Sequence, residues 1–315
     1  MRAVVFPIAL SYLIVVVVWS TTPLFLYLST RAFPAELAGG LRMAAGALVA
    51  SLLIWATGGV LRRDRAALLT YVVMLPGVFG AMYLSYLAAP HVPSGLISVL
   101  FGLSPIISAL CARALAVDPL PGMARFGAAL IALAGLVFIT SESERGATQV
   151  DVVGIVMLLV AVLLFSVSAV LVRKLGSGVD ALVQTVGALW VSLPFYAGAW
   201  LLRGAPLPDA QSADFMLSLA AIAYLALFGS VLGFVCYYQV LKRMPAASAA
   251  LITVIVPVFA LGLGALVNDE RLTVAMLLGA LLVVVGVAGF LLPASSLRTL
   301  RQWVLTRLRP AAGDD

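Results

Sequence analysis

The residue best suited to chemistry on a solute is an arginine inside a long apolar run. Arg42 lies about eight residues into the apolar run 34–57. Eight residues of helix span roughly 12 Å, and ionisable side chains at that depth in a bilayer are rare and face a cavity or a partner. The planar guanidinium can pair with a solute carboxylate or phosphate. The alternative is a structural arginine that bonds backbone carbonyls or extends to the membrane surface.

Two pairs of prolines, each pair twelve residues apart, bracket apolar runs. The pairs are Pro93 with Pro105 and Pro245 with Pro257. The first proline of each pair predicts a helix start, because a proline in the first turn loses no hydrogen bond. The second predicts a kink inside the membrane, which removes the usual donor of the carbonyl four residues earlier, at Phe101 or Thr253. In lipid such a carbonyl needs a partner or lines a cavity.

Polar and aromatic side chains inside the apolar runs are further candidates for a cavity wall. Trp19 is typical of these, because it lies mid-run and not at the membrane surface where tryptophan is usually enriched. The candidate solute-binding residues are Trp19, Ser20, Arg42, Tyr83, Tyr86, Ser98, Phe101, Ser166, Trp190, Tyr238 and Thr253. The alternative for these residues is close packing between helices, which small side chains favour in membranes.

The sequence contains few of the residues and motifs that an enzyme active site would need. It has one histidine, His91, and two cysteines, Cys111 and Cys236, and it lacks HExxH, GxSxG and P-loop patterns. It therefore predicts no metal centre, no cofactor, no catalytic triad and no ATP site. An intramembrane enzyme would have to rest on the sequence proximity of His91 and Ser94. No Asp or Glu lies deep in an apolar run, so a carboxylate proton relay is not predicted.

These residues must be positioned by membrane helices. Of the 315 residues 63% are hydrophobic and 10% are charged, whereas soluble domains carry about 25% charged residues. Ten runs are long enough to cross the hydrocarbon layer as helices, and none has the alternation of barrel strands. We number them as spans 1 to 10: 6–29, 34–57, 68–89, 92–116, 122–140, 152–172, 181–202, 215–241, 246–267 and 272–293. The prediction is an all-α integral membrane protein with ten transmembrane helices.

The basic residues predict the orientation. If the N-terminus is cytoplasmic, fourteen of the 19 Lys and Arg residues fall on the cytoplasmic side and four on the other, with Arg42 inside span 2. This asymmetry predicts that both termini are cytoplasmic. It also accounts for the net charge of +6 without a nucleic-acid partner. The basic tail 294–315 is predicted to be either an interfacial helix on anionic lipid or a disordered segment.

The chain contains an internal repeat. Several residue pairs are each 152 residues apart, namely Pro93 and Pro245, Pro105 and Pro257, Tyr86 and Tyr238, Asp118 and Glu270, and Gly127 and Gly279. The predicted units are residues 1–141 and 152–293. Each unit contains five spans. Because this number is odd, the second unit enters the membrane from the opposite side. Inverted repeats are a feature of transporters that work by alternating access, and the alternative is a duplication that only enlarged the bundle.

The sequence resembles the EamA-type branch of the drug/metabolite transporter superfamily, which has two tandem EamA repeats. The likeness is carried by Trp19-Ser20, Leu41-Arg42, Pro93 with Pro105, Asp118-Pro119-Leu120, Pro245 with Pro257, and Asp269-Glu270-Arg271-Leu272. The sequence departs from the family at Asp118-Pro119, where the family more often has Glu before a basic or polar residue. A shared role for Asp118 and Glu270 is therefore in doubt.

The resemblance implies a multi-pass transporter of the cell inner (plasma) membrane. Its substrates would be small organic metabolites, and export of amino acids or related compounds is the first expectation. Its partners would be a small-molecule solute and the lipid bilayer. The alternatives are a transporter of phosphorylated or nucleotide-linked metabolites, and a non-transporting scaffold or lipid-handling protein. The sequence leaves open whether the protein is a monomer or a homodimer.

Overall fold

The computed structural model describes residues 7–118, 122–143, 151–244, 252–268, 270 and 272–291. Its description of side chains leaves out residues 140–143, Tyr238 and residues 241–243. The predicted start of span 9 at 246–251 and the basic tail 294–315 lie outside the described residues, and so does the Tyr238 side chain.

The described residues form helices and no strands. The α-helices are α1 Ile8–Ser29, α2 Ala35–Ala56, α3 Arg65–Leu75, α4 Met82–Ala88, α5 Ser94–Phe101, α6 Ser104–Ala114, α7 Met123–Ser143, α8 Val152–Leu175, α9 Ala181–Arg203, α10 Phe215–Tyr224, α11 Gly233–Arg243, α12 Ile252–Val267 and α13 Val274–Leu291. Eight segments are long and apolar enough to cross a membrane, and Met123–Ile139 and Ile252–Val267 are shorter apolar helices. The prediction of an all-α, ten-helix membrane protein is confirmed.

Short polar signals set the helix ends. Asp151 and Asp180 accept hydrogen bonds from first-turn backbone N–H groups of α8 and α9. Such caps satisfy donors that have no partner within the helix. Pro93 immediately precedes α5. Gly204, with φ of 58°, ends α9 in the left-handed conformation that glycine adopts without a steric penalty.

Spans 3 and 8 each contain a π-helical segment that the sequence pattern did not predict. Pro76–Ala81 joins α3 to α4, and Leu225–Leu232 joins α10 to α11. Gly77 and Gly229 occupy the two segments and are 152 residues apart, which is the spacing of the internal repeat. π segments are rare and occur frequently at functional sites. The two halves therefore share a local distortion as well as a sequence spacing.

Span 4 is divided where the sequence has its second proline. α5 ends at Phe101, α6 begins at Ser104, and Pro105 lies in the first turn of α6. A proline tolerates that position because its missing N–H is unpaired there in any helix. Pro257, its counterpart in span 9, instead lies inside the continuous helix α12.

The contacts between helices are symmetric with respect to the two halves, so that a contact between two spans recurs between their counterparts. Span 1 contacts spans 8 and 9, and span 6 contacts spans 3 and 4 in the same way. Spans 2 and 7, spans 4 and 9, and spans 5 and 10 contact each other directly. Spans 5 and 10 approach closely at Gly135 and Gly279, where a Cβ atom on Gly279 would lie 2.8 Å from the Gly135 carbonyl oxygen. The middle of the bundle is thus built from both halves.

Candidate functional site

A central cavity of about 120 Å³ lies where the two halves meet. Its wall combines side chains from spans 1 to 4 with side chains from spans 6, 8 and 9. The polar lining residues are Thr22, Arg42, Ser85, Ser98, Ser104 and Thr253. An apolar cavity with a few convergent polar groups is the usual form of a small-molecule site.

Arg42 is the positively charged residue of this wall. It lies on α2, and only 2% of the residue is exposed. Its Nε donates to the Ser230 hydroxyl oxygen at 2.9 Å, while its Nη1 is buried and has no hydrogen-bond partner among the residues that the structure describes. The described residues therefore satisfy only some of the hydrogen-bond donors of the guanidinium.

The π segment of span 8 contacts the guanidinium of Arg42. Ser230, which accepts from Nε, belongs to this segment, and Gly229 precedes it. A Cβ atom on Gly229 would lie 3.1 Å from Nη2 of Arg42, so glycine leaves the room that the guanidinium occupies. One half thus holds the cation that the other half contributes.

Arg42 has no carboxylate partner among the described residues. The ion pairs described within those residues join Arg31 to Asp214, Arg62 to Asp64, His91 to Asp151, Arg173 to Asp118, and Arg203 to Glu36. A cation at the centre of a membrane helix costs about 2.5–3.5 kcal/mol even on the lower of the current scales. An anion that reached Nη1 would offset part of that cost.

Aromatic rings form much of the apolar wall. Trp19 packs against Tyr237 with ring centroids 4.6 Å apart, and Phe101 meets Phe165 edge to face at 5.9 Å. Trp19, Phe101 and Phe165 all line the central cavity. These rings can surround an apolar or aromatic solute group while Arg42 binds a polar one.

The break in span 4 faces the proline of span 9 across the cavity. A Cβ atom on Gly102 would lie 3.4 Å from the Thr253 carbonyl oxygen and 3.5 Å from Cγ of Pro257. Gly102, Thr253 and Pro257 all line the central cavity. The break in span 4 and the proline of span 9 therefore lie next to each other at the cavity wall.

A second, larger cavity of about 570 Å³ lies at the end of the bundle where α1 ends and α2 begins. We call it the vestibule and define it by Thr30, Glu36, Tyr86, His91, Met157 and Arg203, which lie on its wall. Glu36 is buried there, with 2% of its side chain exposed, and its Oε1 lies 3.0 Å from Nη1 of Arg203. Tyr83 donates its hydroxyl to the same Oε1 at 2.9 Å.

The structure brings six of the sequence-predicted residues to the central cavity. They are Trp19, Arg42, Ser98, Phe101, Thr253 and the predicted kink residue Pro257. Tyr86 lines the vestibule, and Tyr83 binds Glu36 beside it. The predicted kink residue Pro105 lies in the first turn of α6 and does not line the cavity.

Three of the remaining candidates line neither cavity. Ser20 is buried, and its hydroxyl has no hydrogen-bond partner within the described part of the chain. Ser166 donates to the Ser104 carbonyl oxygen at 3.3 Å. Trp190 is 40% exposed, and its Nε1 donates to the Ser51 hydroxyl oxygen at 3.0 Å. The side chain of Tyr238 lies outside the described part of the chain.

Sequence reasoning missed several residues that complete these sites. Phe165 begins the stretch FSVSA, which the repeat aligns with WSTTP at Trp19, so the repeat itself was a usable signal. Gly229 shares the repeat spacing with Gly77, but the roles of Gly229 and Ser230 depend on the π segment of span 8, which the sequence pattern did not predict. Glu36 stands six residues before Arg42, and its burial depends on span 7.

Known proteins resemble this chain in sequence and in fold. Residues 152–292 match the profile of the EamA-like transporter family. Over 271 residues the chain is 30% identical to "Uncharacterized transporter YdeK" of Bacillus subtilis strain 168, which covers 84% of this chain and 86% of that protein. The chain belongs to the EamA-like transporter family. It is therefore a membrane transporter of the drug/metabolite type.

Two further relatives have a lower sequence identity to this chain. "Uncharacterized transporter YoaV" of Bacillus subtilis is 24% identical over 284 residues, 89% of this chain and 95% of that protein. "Protein PagO" of Salmonella typhimurium strain LT2 is 24% identical over 259 residues, 81% and 83% respectively. One solved crystal structure superposes with a TM-score of 0.64 at 21% identity, covering 94% of this chain and 98% of that one. That likeness supports the fold alone.

Proposed function

We propose that this EamA-like protein is a secondary transporter of the cell inner membrane that exports amino acids or related small organic compounds by alternating access. The family membership establishes membrane transport. The substrate class, the direction and the membrane are our inference from the resemblance and from the geometry of the central cavity.

The observation that carries the substrate class is Nη1 of Arg42. This donor is buried, belongs to a cavity-lining residue and has no hydrogen-bond partner in the described part of the chain. A carboxylate is the group that best satisfies such a donor, because a charge-assisted hydrogen bond is about twice as strong as a neutral one. A solute carboxylate also balances a positive charge that has no carboxylate partner within the described residues.

The size of the central cavity favours a small solute. An apolar protein cavity of about 150 Å³ holds a benzene molecule, and the central cavity is about 120 Å³. A small amino acid, or the head group of a larger one, is of this size. Nucleotide-linked metabolites are several times larger, so the cavity gives the competing substrate class no support.

The packing of the halves supports alternating access. The cavity lies between the broken span 4 of one half and the proline-containing span 9 of the other. In inverted-repeat transporters, equivalent halves exchange conformations and open a central site to each side in turn. In this mechanism spans 4 and 9 would move relative to each other, and Arg42 would hold the carboxylate during the exchange.

Counterflow in proteoliposomes tests the proposal. Vesicles are loaded with an unlabelled solute, and entry of a labelled amino acid is measured across a panel of amino acids, their amines and their 2-oxo acids. We expect wild-type protein to exchange carboxylate-bearing solutes. Arg42→Gln should abolish that preference, while Arg31→Gln, which changes an exposed arginine paired with Asp214, should preserve it. Failure of every solute to exchange, or a carboxylate preference that survives in Arg42→Gln, would overturn the proposal.

A further inference from the structure

The vestibule has the features of a second binding site. It is walled by both halves, with Thr30, Glu36 and His91 from the first and Met157 and Arg203 from the second. Its volume of about 570 Å³ falls within the usual range of ligand pockets, roughly 300–1,000 Å³. It therefore has room for a solute together with several waters.

Glu36 places a carboxylate on the wall of this cavity. Within the described residues, the hydrogen bond from the Tyr83 hydroxyl and the ion pair with the Arg203 guanidinium both go to Oε1. A ligand in the vestibule that donates to Oε2 would form a hydrogen bond to a charged group, which is stronger than a neutral one.

Tyr86 lies between the two cavities. It belongs to α4, where Met82 and Ser85 line the central cavity and Tyr86 lines the vestibule. The residue is fully buried, and no described residue forms a hydrogen bond with its hydroxyl. α1 shows the same order, because Leu26 lines the central cavity and Thr30, one turn later, lines the vestibule. The cavities are thus successive chambers along the same helices.

We propose that the vestibule is a second solute site on the transport path, in which Oε2 of Glu36 binds the ammonium group of a zwitterionic amino acid. Arg203 stays paired with Oε1 of Glu36, and more than half of its side chain, 55%, is exposed. Tyr86 separates this site from the central cavity and offers its hydroxyl to a solute that passes between them. The inference rests on the proposed function, because it assigns the second polar group of the same substrates.

The two sites divide the recognition of a zwitterion. Arg42 in the central cavity recognises the carboxylate, and Glu36 in the vestibule recognises the ammonium. The positive-inside orientation places the vestibule on the side away from the cytoplasm. An exported solute would therefore reach Glu36 after Arg42.

Cysteine protection tests occupancy of the vestibule without a transport measurement. Ala205 lies on the vestibule wall, and both native cysteines are buried. In a Cys111→Ala, Cys236→Ala background, Ala205→Cys is labelled with a maleimide in the presence of leucine, phenylalanine or threonine. The corresponding amines and 2-oxo acids serve as matched probes, and Leu207→Cys provides an exposed site outside the vestibule wall.

We expect amino acids and amines to protect Ala205→Cys and 2-oxo acids to leave it reactive. At ten times the dissociation constant, mass action slows labelling about tenfold. Glu36→Gln keeps an acceptor for Tyr83 but removes the charge, and it should raise the concentration needed for protection about 10- to 100-fold, since hydrogen bonds to charged groups are the strong ones. Asp214→Asn, a neutralised acid paired with Arg31, should leave protection unchanged.

Three results would overturn the inference. They are no protection by any probe, equal protection by 2-oxo acids, and protection by amino acids that is unchanged in Glu36→Gln. If Glu36→Gln does not fold, Tyr86→Phe tests the same site, and we expect weaker protection in that variant. The proposed function fails independently, because it predicts counterflow that depends on Arg42. Counterflow without protection refutes the vestibule site alone, and protection without counterflow refutes the transport assignment alone.

Discussion

The hydrogen bond between Arg42 and Ser230 makes a quantitative prediction about how the halves are coupled. Nε of Arg42 donates to the Ser230 hydroxyl at 2.9 Å, and both residues are buried, with 2% and 0% exposure. Neutral interhelical hydrogen bonds in membranes average about 0.6 kcal/mol and reach about 1.7. Buried hydrogen bonds to charged groups contribute about 1.5–3 kcal/mol. We therefore expect a coupling of about 1–2 kcal/mol.

A double-mutant cycle measures this coupling. The free energy of unfolding is compared in mixed micelles for wild type, Ser230→Ala, Arg42→Gln and the double variant. Ser230→Ala should destabilise the wild-type background but have little effect in Arg42→Gln, where the charged donor is already absent. Ser192→Ala serves as the matched control, because Ser192 is a buried serine whose hydroxyl donates to the Leu189 carbonyl of its own helix. A coupling below about 0.5 kcal/mol would show that the π segment does not hold Arg42.

Three further changes test other parts of the structure. Glu270→Ala removes the carboxylate that accepts the Ser94 N–H at 2.9 Å, and it should lower the free energy of unfolding by about 1 kcal/mol; equal stability of the alanine and glutamine variants of Glu270 would contradict this. Gly279→Val places a Cβ within 2.6 Å of Cγ1 of Ile139, so the melting temperature should fall, and an unchanged value would refute the close helix crossing. Trp19→Phe should weaken solute exchange, whereas Trp190→Phe should not; the reverse order would remove Trp19 from the site.

Span positions were predictable because length and apolar composition suffice to locate membrane helices. α1 begins and α2 begins and ends within two residues of the predicted spans, and α8 begins at the predicted residue, Val152. Pro93 located the start of α5 correctly because proline has few other tolerated positions, whereas the start predicted at Pro245 lies outside the described residues. The depth of Arg42 was also readable, since it depends only on distance along one helix.

The missed features depend on neighbouring helices. Whether Trp190 faces a cavity or the outside is a question of helix rotation, and all candidate helices have apolar residues on every side. The π segments require a fit between spans that no local pattern specifies. Glu36 is buried because Arg203 and Tyr83 meet it from spans 7 and 3. The sequence therefore located the buried cavity arginine but not the residues that contact it.

The central claim is that Arg42 selects solutes by their carboxylate. The most direct measurement is counterflow in proteoliposomes of an amino acid against its own amine, with wild-type protein and Arg42→Gln reconstituted at equal amounts. The account predicts that wild type prefers the amino acid by about 10-fold or more, the worth of one charge-assisted hydrogen bond, and that Arg42→Gln exchanges both equally. An unchanged preference in Arg42→Gln would contradict it.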